Sequence, residues 1–345
     1  MPIRALIESL IANRVVTETE AFEVASVIAS GSADPLQVSA LVALLAARGE
    51  TAAVVSGFAR ALRDVAVCVD CGPGEVTEIV GTGGDGFGTQ NISTAAAVLS
   101  AACGVRVAKH GSVSVSSLSG AADVLSALGV ARVPPESVRA CIDRAGVAFL
   151  FAPLFHPAMR HAAPVRAALK MRTVFNLLGP LLNPAGATRV VLGVFSPRLL
   201  PIMGEALRAC GAVRALVVHC CGLDELAPLG PVQAMELTPD GALTEVTLDA
   251  AEWGVPRCTV DDLRGGSPTE NAECMRALLK GGAAADSHFG RTVALNAGAA
   301  LYVSDAAASV REGYERALQV LREGKAEQVL NTWAAVSTQL VSDAR

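Results

Sequence analysis

The sequence predicts an α/β fold: a small all-helical N-terminal domain joined to a larger α/β domain with a mainly parallel central sheet. Three observations carry this. The first 65 residues show helical periodicity only. Beyond Cys71, short β-branched runs alternate with helical patterns. The chain is 52% hydrophobic but only 4% aromatic, so Ala, Val and Leu must fill the interior, as they do where helices pack on a buried sheet.

Residues 1–14 mix Arg4 and Glu8 with Ile3, Leu6, Ile7, Leu10 and Ile11, the pattern of a short amphipathic helix and not of a signal peptide. Thr17 and Glu20 form a capping box ahead of Ala21, Phe22, Ala25 and Ile28, and Gly31 stops that helix. Asp34-Pro35 opens the next, which carries Leu36, Leu41, Leu44 and Leu45 to Gly49. Thr51 opens a fourth, with Val54, Val55, Phe58 and Leu62 inward. Cys71-Gly72-Pro73-Gly74 then reads as a linker, dividing a helical domain, 1–70, from an α/β domain, 71–345.

Strand-like runs at 79–80, 105–108, 147–151, 190–194 and 216–219 are separated by helical patterns such as 95–102, 123–128 and 199–209. A helical, Arg-rich stretch at 157–182 interrupts the alternation, and an insertion near 157–185 is expected to rejoin the helical domain. Pro239-Asp240-Gly241 is a hairpin turn between 235–237 and 243–246. Helices around 270–279, 293–302, 306–321 and 326–340 close the chain.

Composition narrows the function. A net charge of −5 without a basic tail gives nucleic-acid binding no electrostatic support. No apolar stretch is long and charge-free enough to span a bilayer. Nine scattered cysteines, an odd number, point to reduced thiols and a cytoplasmic location. Cys68-Val-Asp-Cys71 lacks a second pair, and His219-Cys220-Cys221 lies far along the chain, so no zinc site is expected from these cysteines.

Chemistry concentrates in residues 76–94, where a β-branched run ends in Gly81-Thr-Gly-Gly-Asp85-Gly-Phe-Gly-Thr89 and Asn91-Ile92-Ser93-Thr94 opens an alanine-rich helix. Glycines allow a close backbone approach to a ligand, and a helix start offers free N–H donors to phosphate. A carboxylate at Asp85 would repel phosphate, which suits it instead to sugar hydroxyls or a solvated metal ion. The site reads as one for a phosphorylated sugar. Gly81, Gly83 and Gly86 also satisfy a dinucleotide fingerprint, but the acid expected about 20 residues on is missing.

Lys109-His110-Gly111 just beyond the next strand, followed by the serine-rich stretch Ser112 to Ser119, lies where open α/β sheets bind ligands. Phe151-Ala-Pro-Leu-Phe-His156-Pro could line a slot for a flat ring, with an arginine fork for its carboxylate. On residue type alone, His156 reads as a buried, satisfied histidine, and Arg160 and Arg172 as a solvated helix face. Asp224-Glu225 follows a strand, and adjacent carboxylates suit magnesium when a diphosphate supplies the other oxygens.

Taken together, Gly-Thr-Gly-Gly-Asp with Asn-x-Ser-Thr, Lys-His-Gly, Phe-Ala-Pro-x-x-His-Pro, the run from Arg172 through Pro180 to Pro184, and Gly-x-Asp-Glu resemble the anthranilate phosphoribosyltransferase family. The resemblance runs through most of the chain in order. It implies a small helical domain on a larger α/β domain, a homodimer, magnesium as cofactor, and phosphoribosyl pyrophosphate and anthranilate, or a similar aromatic acid, as partners. It places the donor against Gly81, Gly84, Asp85, Thr89, Asn91, Ile92, Ser93, Thr94, Lys109, His110, Gly111, Ser112, Ser116 and Ser117. It gives magnesium Ser93, Asp224 and Glu225. Gly81, His110, Ser112, His156, Arg166 and Pro180 would border the acceptor, with Arg166 facing its carboxylate. Lys109, His110 and Arg166 are the catalytic candidates.

The resemblance implies transfer of the 5-phosphoribosyl group to the anthranilate amine with release of pyrophosphate, a step of tryptophan biosynthesis. Departures fall on the acceptor side: Ser112 and Val113 replace a usual Asn-Arg, and Leu118 a usual basic residue. The family's His-Gly-x-Gly-x-Asp-Glu has become His219-Cys220-Cys221-Gly222-Leu223-Asp224-Glu225. The competing readings are a paralogue acting on another aromatic acid or amine, a pyrimidine nucleoside phosphorylase, and a non-catalytic relative that binds nucleic acid.

Overall fold

The structure is a computed structural model that describes residues 2–113 and 118–344; Ser116 and Ser117 lie outside the described residues. The chain opens with α1 (Pro2–Ile11), α2 (Glu18–Ala29), α3 (Pro35–Arg48) and α4 (Ala52–Arg63). Their starts have local causes. The Thr17 hydroxyl accepts the Glu20 N–H at 3.3 Å while the Glu20 carboxylate accepts the Thr17 N–H at 2.9 Å. Asp34 accepts the Leu36 N–H at 2.8 Å ahead of Pro35, and Thr51 accepts the Val54 N–H at 3.3 Å. Ile3, Leu6, Leu41, Leu45 and Phe58 are buried where these helices meet.

The larger part runs β1 (Thr77–Gly81), α5 (Ile92–Ala102), β2 (Val107–Gly111), α6 (Ala121–Ala127), α7 (Val138–Ala145), β3 (Val147–Phe151) and α8 (Ala152–Phe155). Then come α9 (Ala163–Leu169), α10 (Phe175–Leu178), β4 (Arg189–Gly193), α11 (Leu199–Ala209), β5 (Arg214–His219), β6 (Val232–Leu237) and β7 (Leu243–Leu248). Helices α12 (Pro268–Leu279), α13 (His288–Val303), α14 (Val310–Arg322) and α15 (Lys325–Asp343) complete it. The sheet order is β3-β2-β1-β4-β5-β6-β7. The first five strands in sequence are mutually parallel, and the β6–β7 hairpin is antiparallel.

Both faces of the sheet are covered, and alternate residues serve each face. Val190, Leu192 and Val217 join the core of the N-terminal helices, together with Ala162, Val165 and Phe175 from the 157–182 stretch. Val191, Leu216 and Val218 join the other core, against α5, α13 and their neighbours. The Arg-rich stretch is not a continuous helix: a 3₁₀ turn at Pro157–His161 precedes α9, and α9 ends at Lys170, which takes a left-handed conformation at φ 48°, before α10. Helix α14 starts four residues later than its periodicity suggests because Asp305 also turns left-handed, at φ 59°, and Ser309 supplies the cap. Among the described residues no helix is long and apolar enough to cross a membrane.

The chain leaves β1 in one direction through β2 and β3, then returns to β1's other side with β4. Reversal of this kind opens a crevice at the carboxyl ends of β1 and β4, where open α/β sheets take their ligands. Both strands end there in glycine, Gly81 opposite Gly193. A Cβ on Gly193 would lie 1.5 Å from the Asp224 carbonyl oxygen, and one on Gly81 would lie 2.4 Å from Asp224 Oδ2. Only hydrogen fits at Gly193, which lets the loop after β5 cross the sheet edge, and a methyl at Gly81 would displace the Asp224 carboxylate that the loop delivers over β1.

Candidate active site

The site begins with an anion cradle. Gly83 and Gly84 both take positive φ, 65° and 78°, turning the chain from β1 towards α5. Ser93, in the first turn of α5, presents its N–H to Glu225 Oε1 at 3.2 Å and its hydroxyl to the Lys109 ammonium at 3.2 Å. Lys109 also donates to the Ile79 carbonyl at 3.0 Å. Its position corrects the sequence expectation: β2 continues to Gly111, so Lys109 is 2% exposed inside the strand and not beyond its end. Burial depresses its pKa, against the pull of Glu225 and Glu78.

Facing the lysine are acids that strain against one another. Asp224 Oδ2 accepts the Gly83 N–H at 2.6 Å. Burial first, then the nearby Asp85, push the Asp224 carboxyl up to about 7. Glu225 is raised well above the usual carboxylate range by burial and by Asp224. Asp85 itself accepts the Phe87 N–H at 3.1 Å. These are hard oxygen donors short of a cation, which fits magnesium. Among the described residues no group of three or more His, Cys, Asp or Glu side chains can hold a metal by itself, so a ligand must supply the remaining oxygens.

On the other side of Lys109 stands an aromatic wall. The His110 and His156 rings meet edge to face with centroids 5.0 Å apart. Burial lowers both, His110 to about 3 and His156 to about 4, so both are neutral at neutral pH. His110 Nδ1 lies 3.2 Å from the Gly179 carbonyl and so carries the proton, leaving Nε2 as a buried acceptor without a partner. His156 is buried as its sequence suggests, and the Leu182 backbone acts on its ring against the effect of burial. Pro180, buried, follows Gly179 behind the His110 ring.

Arg166, on α9, makes no ion pair or side-chain hydrogen bond among the described residues, and partial burial lowers its pKa. Arg160 is exposed. Arg172 departs from the solvated helix face expected of it: it lies in the loop before α10, its guanidinium stacks 4.0 Å from the Phe195 ring centroid, and its Nε is 3.3 Å from where a Gly84 Cβ would stand. That places a cation against the glycine loop.

The remaining candidates divide. Thr89 pairs through its backbone with Arg264, pinning the far end of the glycine loop. Asn91 caps α5 by position only; its carboxamide donates to the Ser119 carbonyl at 3.1 Å and accepts from Asn271 at 2.9 Å. Ile92 turns its side chain into the core, 1% exposed, and gives its N–H to the Gln90 carbonyl. Thr94 is also 1% exposed, in the same first turn. Gly111 ends β2 with the Phe149 ring 3.1 Å from a would-be Cβ, and Ser112 accepts the Ala122 N–H through its carbonyl.

Three residues escaped the sequence reading. Asn271 is 1% exposed and holds Asn91. Asn296, fully buried on α13, exchanges both backbone bonds with Leu226, at 3.1 Å and 2.8 Å, which anchors the chain just past Glu225. Glu78, on β1, is fully buried and contacts the His110 amide and Asn183. Glu78 and Asn296 are polar residues inside apolar runs, the one signal that marked them, whereas Asn271 stands in a polar helix start that gave none.

Comparison with known proteins accords with this geometry. Residues 4–66 match the helical bundle domain, and residues 74–327 the a/b domain, of a glycosyl transferase family. Anthranilate phosphoribosyltransferases from Shewanella putrefaciens and Shewanella denitrificans are 42% and 44% identical, covering 98% and 97% of this chain and 98% and 93% of their own. The crystal structure of the Thermus thermophilus enzyme superposes with a TM-score of 0.89 at 45% identity, covering 96% of this chain and 99% of that one. The Saccharomyces cerevisiae enzyme in complex with PRPP and Mg gives 0.89 at 25% identity, and its complex with 4-fluoroanthranilate 0.87, also at 25%; each covers 98% of both chains. The chain belongs to that glycosyl transferase family and, within it, to the anthranilate phosphoribosyltransferases.

The strained acids make a stability prediction. With Asp224 at about 7 in the folded, metal-free protein against an ordinary 3.8, the folded state binds the extra proton between these values. Stability therefore falls as pH rises through that window. Asp224→Asn should raise the melting temperature of the chelator-treated protein at pH 8 and leave it nearly unchanged at pH 4. An equal or lower melting temperature at pH 8 would show that the carboxylate is not strained.

Proposed function

We propose that this chain transfers the 5-phosphoribosyl group of phosphoribosyl pyrophosphate to the amine of anthranilate, releasing pyrophosphate, as a magnesium-dependent phosphoribosyltransferase of tryptophan biosynthesis. The observation that carries this is one sheet edge bearing two complementary features: the Lys109–Ser93 cradle suits phosphate, and the under-neutralised Asp224–Glu225 pair suits a divalent cation. Arg166 on α9, without an ion pair among the described residues, is the cation suited to a carboxylate. The ligands of the yeast relative are the same in kind.

In this reading the α5 N-terminus and the glycine loop bind the donor's phosphates through backbone N–H groups. Asp224 and Glu225, with Ser93, hold magnesium, which when bound offsets charge on the leaving diphosphate. Lys109 adds a fixed positive charge at the same place, an electrostatic role that needs no proton transfer. Arg166 takes the acceptor carboxylate. The His110–His156 wall orients the ring, and His110 Nε2 offers a neutral acceptor on that wall. An aromatic amine attacks while uncharged, so positioning does most of the work and no strong base is required.

Turnover tests this with purified protein, donor, magnesium and a panel of aromatic acids, read as pyrophosphate release. Release with anthranilate that disappears with chelator, and in Asp224→Ala/Glu225→Ala by about a thousandfold or more, is the expected result. Full activity in that variant, or turnover of nucleoside with phosphate instead, would overturn the assignment. A paralogue's acceptor is the competing reading, favoured by Val113 and Leu118, which are 43% and 76% exposed where the family carries polar groups. Preference for another acid in the panel would decide for it.

The protein is further proposed to be a cytoplasmic homodimer. Nine free thiols suit a reducing compartment. Ile11 on α1, Val15 in the loop after it and Leu36 on α3 expose apolar surface, where a second copy could bury it. Sedimentation at twice the chain mass is expected; sedimentation at a single chain mass would overturn the dimer.

A further inference from the structure

Strands β1 and β2 are sheet neighbours yet share only the register pair Thr77 with Val107, whereas β1–β4 and β2–β3 each keep five pairs. Past Thr77 the two strands part, and side chains occupy the opening. Three backbone groups that a paired ladder would use are each met by a side chain instead. The His110 N–H donates to Glu78 Oε1 at 3.1 Å. The Ala108 carbonyl accepts from Asn183 Nδ2 at 2.8 Å, and the Ile79 carbonyl accepts from the Lys109 ammonium at 3.0 Å. Asn183 Nδ2 spends its second hydrogen on Glu78 Oε2 at 2.7 Å, while its oxygen accepts the Ala185 N–H at 2.9 Å.

We propose that Glu78, locked by Asn183, is a positioning residue for the transfer reaction: a carboxylate wedge that holds β1 and β2 apart so that Lys109 reaches the donor cradle and His110 faces the acceptor. This rests on the function proposed above for the same site. The donor and acceptor inventory makes the wedge specific. Glu78 must accept twice, from His110 and from Asn183. A glutamine has nearly the same shape but must turn an NH₂ towards one of those donors. Flipping Asn183 does not relieve this, because its oxygen would then oppose the Ala108 carbonyl and its NH₂ the Ala185 N–H. An aspartate keeps both acceptors on a shorter stem. Glu78 itself touches neither substrate; it acts through the strand that carries Lys109 and His110.

The test compares Glu78→Gln, Glu78→Asp and Asn183→Ala in the full chain. The readouts are steady-state turnover and calorimetric titration of the donor with magnesium. The wedge predicts that Glu78→Gln still binds close to one donor per chain, yet loses at least about tenfold in kcat. Glu78→Asp should be the more active of the two, although glutamine is the closer match in size. A space-filling role predicts the reverse order, or a reduced binding stoichiometry with unchanged kcat per active site, and either result would overturn the proposal. So would Glu78→Gln within about threefold of the parent. If Glu78→Gln does not fold, Asn183→Ala carries the test: it should show the same loss of kcat at full stoichiometry, and parental kcat would overturn the wedge. Should the parent itself fail to transfer phosphoribosyl groups, the function fails. The wedge is then read from donor affinity alone, which must weaken in Glu78→Gln and still be ranked aspartate above glutamine.

Discussion

A single close approach organises this molecule: Asp224 lies against the ends of β1 and β4, its carboxylate over Gly81 and its backbone against Gly193, where a methyl group would not fit. Gly81 and Gly193 sit opposite one another in register, and their missing side chains admit the loop. Because that loop is seated on the sheet, Asp224 reaches the Gly83 amide, Glu225 reaches the Ser93 amide at the start of α5, and Asn296 closes the chain behind them. The acid pair is thus fixed by packing and backbone bonds before any ligand arrives.

The electrostatics follow from that placement. Burial leaves two carboxylates near a third with one buried lysine to balance them, an arrangement costly in isolation. Among the described residues, Arg166 on α9 is a cation without an acid, and the neutral His110 has its Nε2 without a hydrogen-bond partner. Unmatched acids on one side of Lys109 and unmatched donors and acceptors on the other are what a substrate-binding site costs a folded protein. A metal-bound diphosphate and an aromatic carboxylate are complementary to these deficits.

The sequence made much of this readable. The alternation beyond Cys71 located the parallel strands, and the caps at Thr17, Asp34 and Thr51 located the first helices, because both signals are local. The glycine loop and the acid pair were visible because their chemistry needs those residue types in fixed order. What stayed hidden was non-local. Lys109 reads as lying beyond a strand, since nothing nearby tells that β2 runs on to Gly111 without a full β1 partner. Arg172 reads as a helix face because its stacking partner, Phe195, is far along the chain. Glu78, Asn271 and Asn296 act through contacts with distant segments, and Ile92 shows that a motif position can serve the core.

The central claim is that the site is a charge system completed by its metal-bound donor. Proton release on binding tests it most directly, measured by titrating magnesium with phosphoribosyl pyrophosphate into the protein near neutral pH in buffers of differing ionisation enthalpy. Carboxyls held above their ordinary range must ionise to take the metal, so net release of about one proton, abolished in Asp224→Asn/Glu225→Gln, is the predicted result. Tight binding with no proton released, in parent and variant alike, would contradict the account.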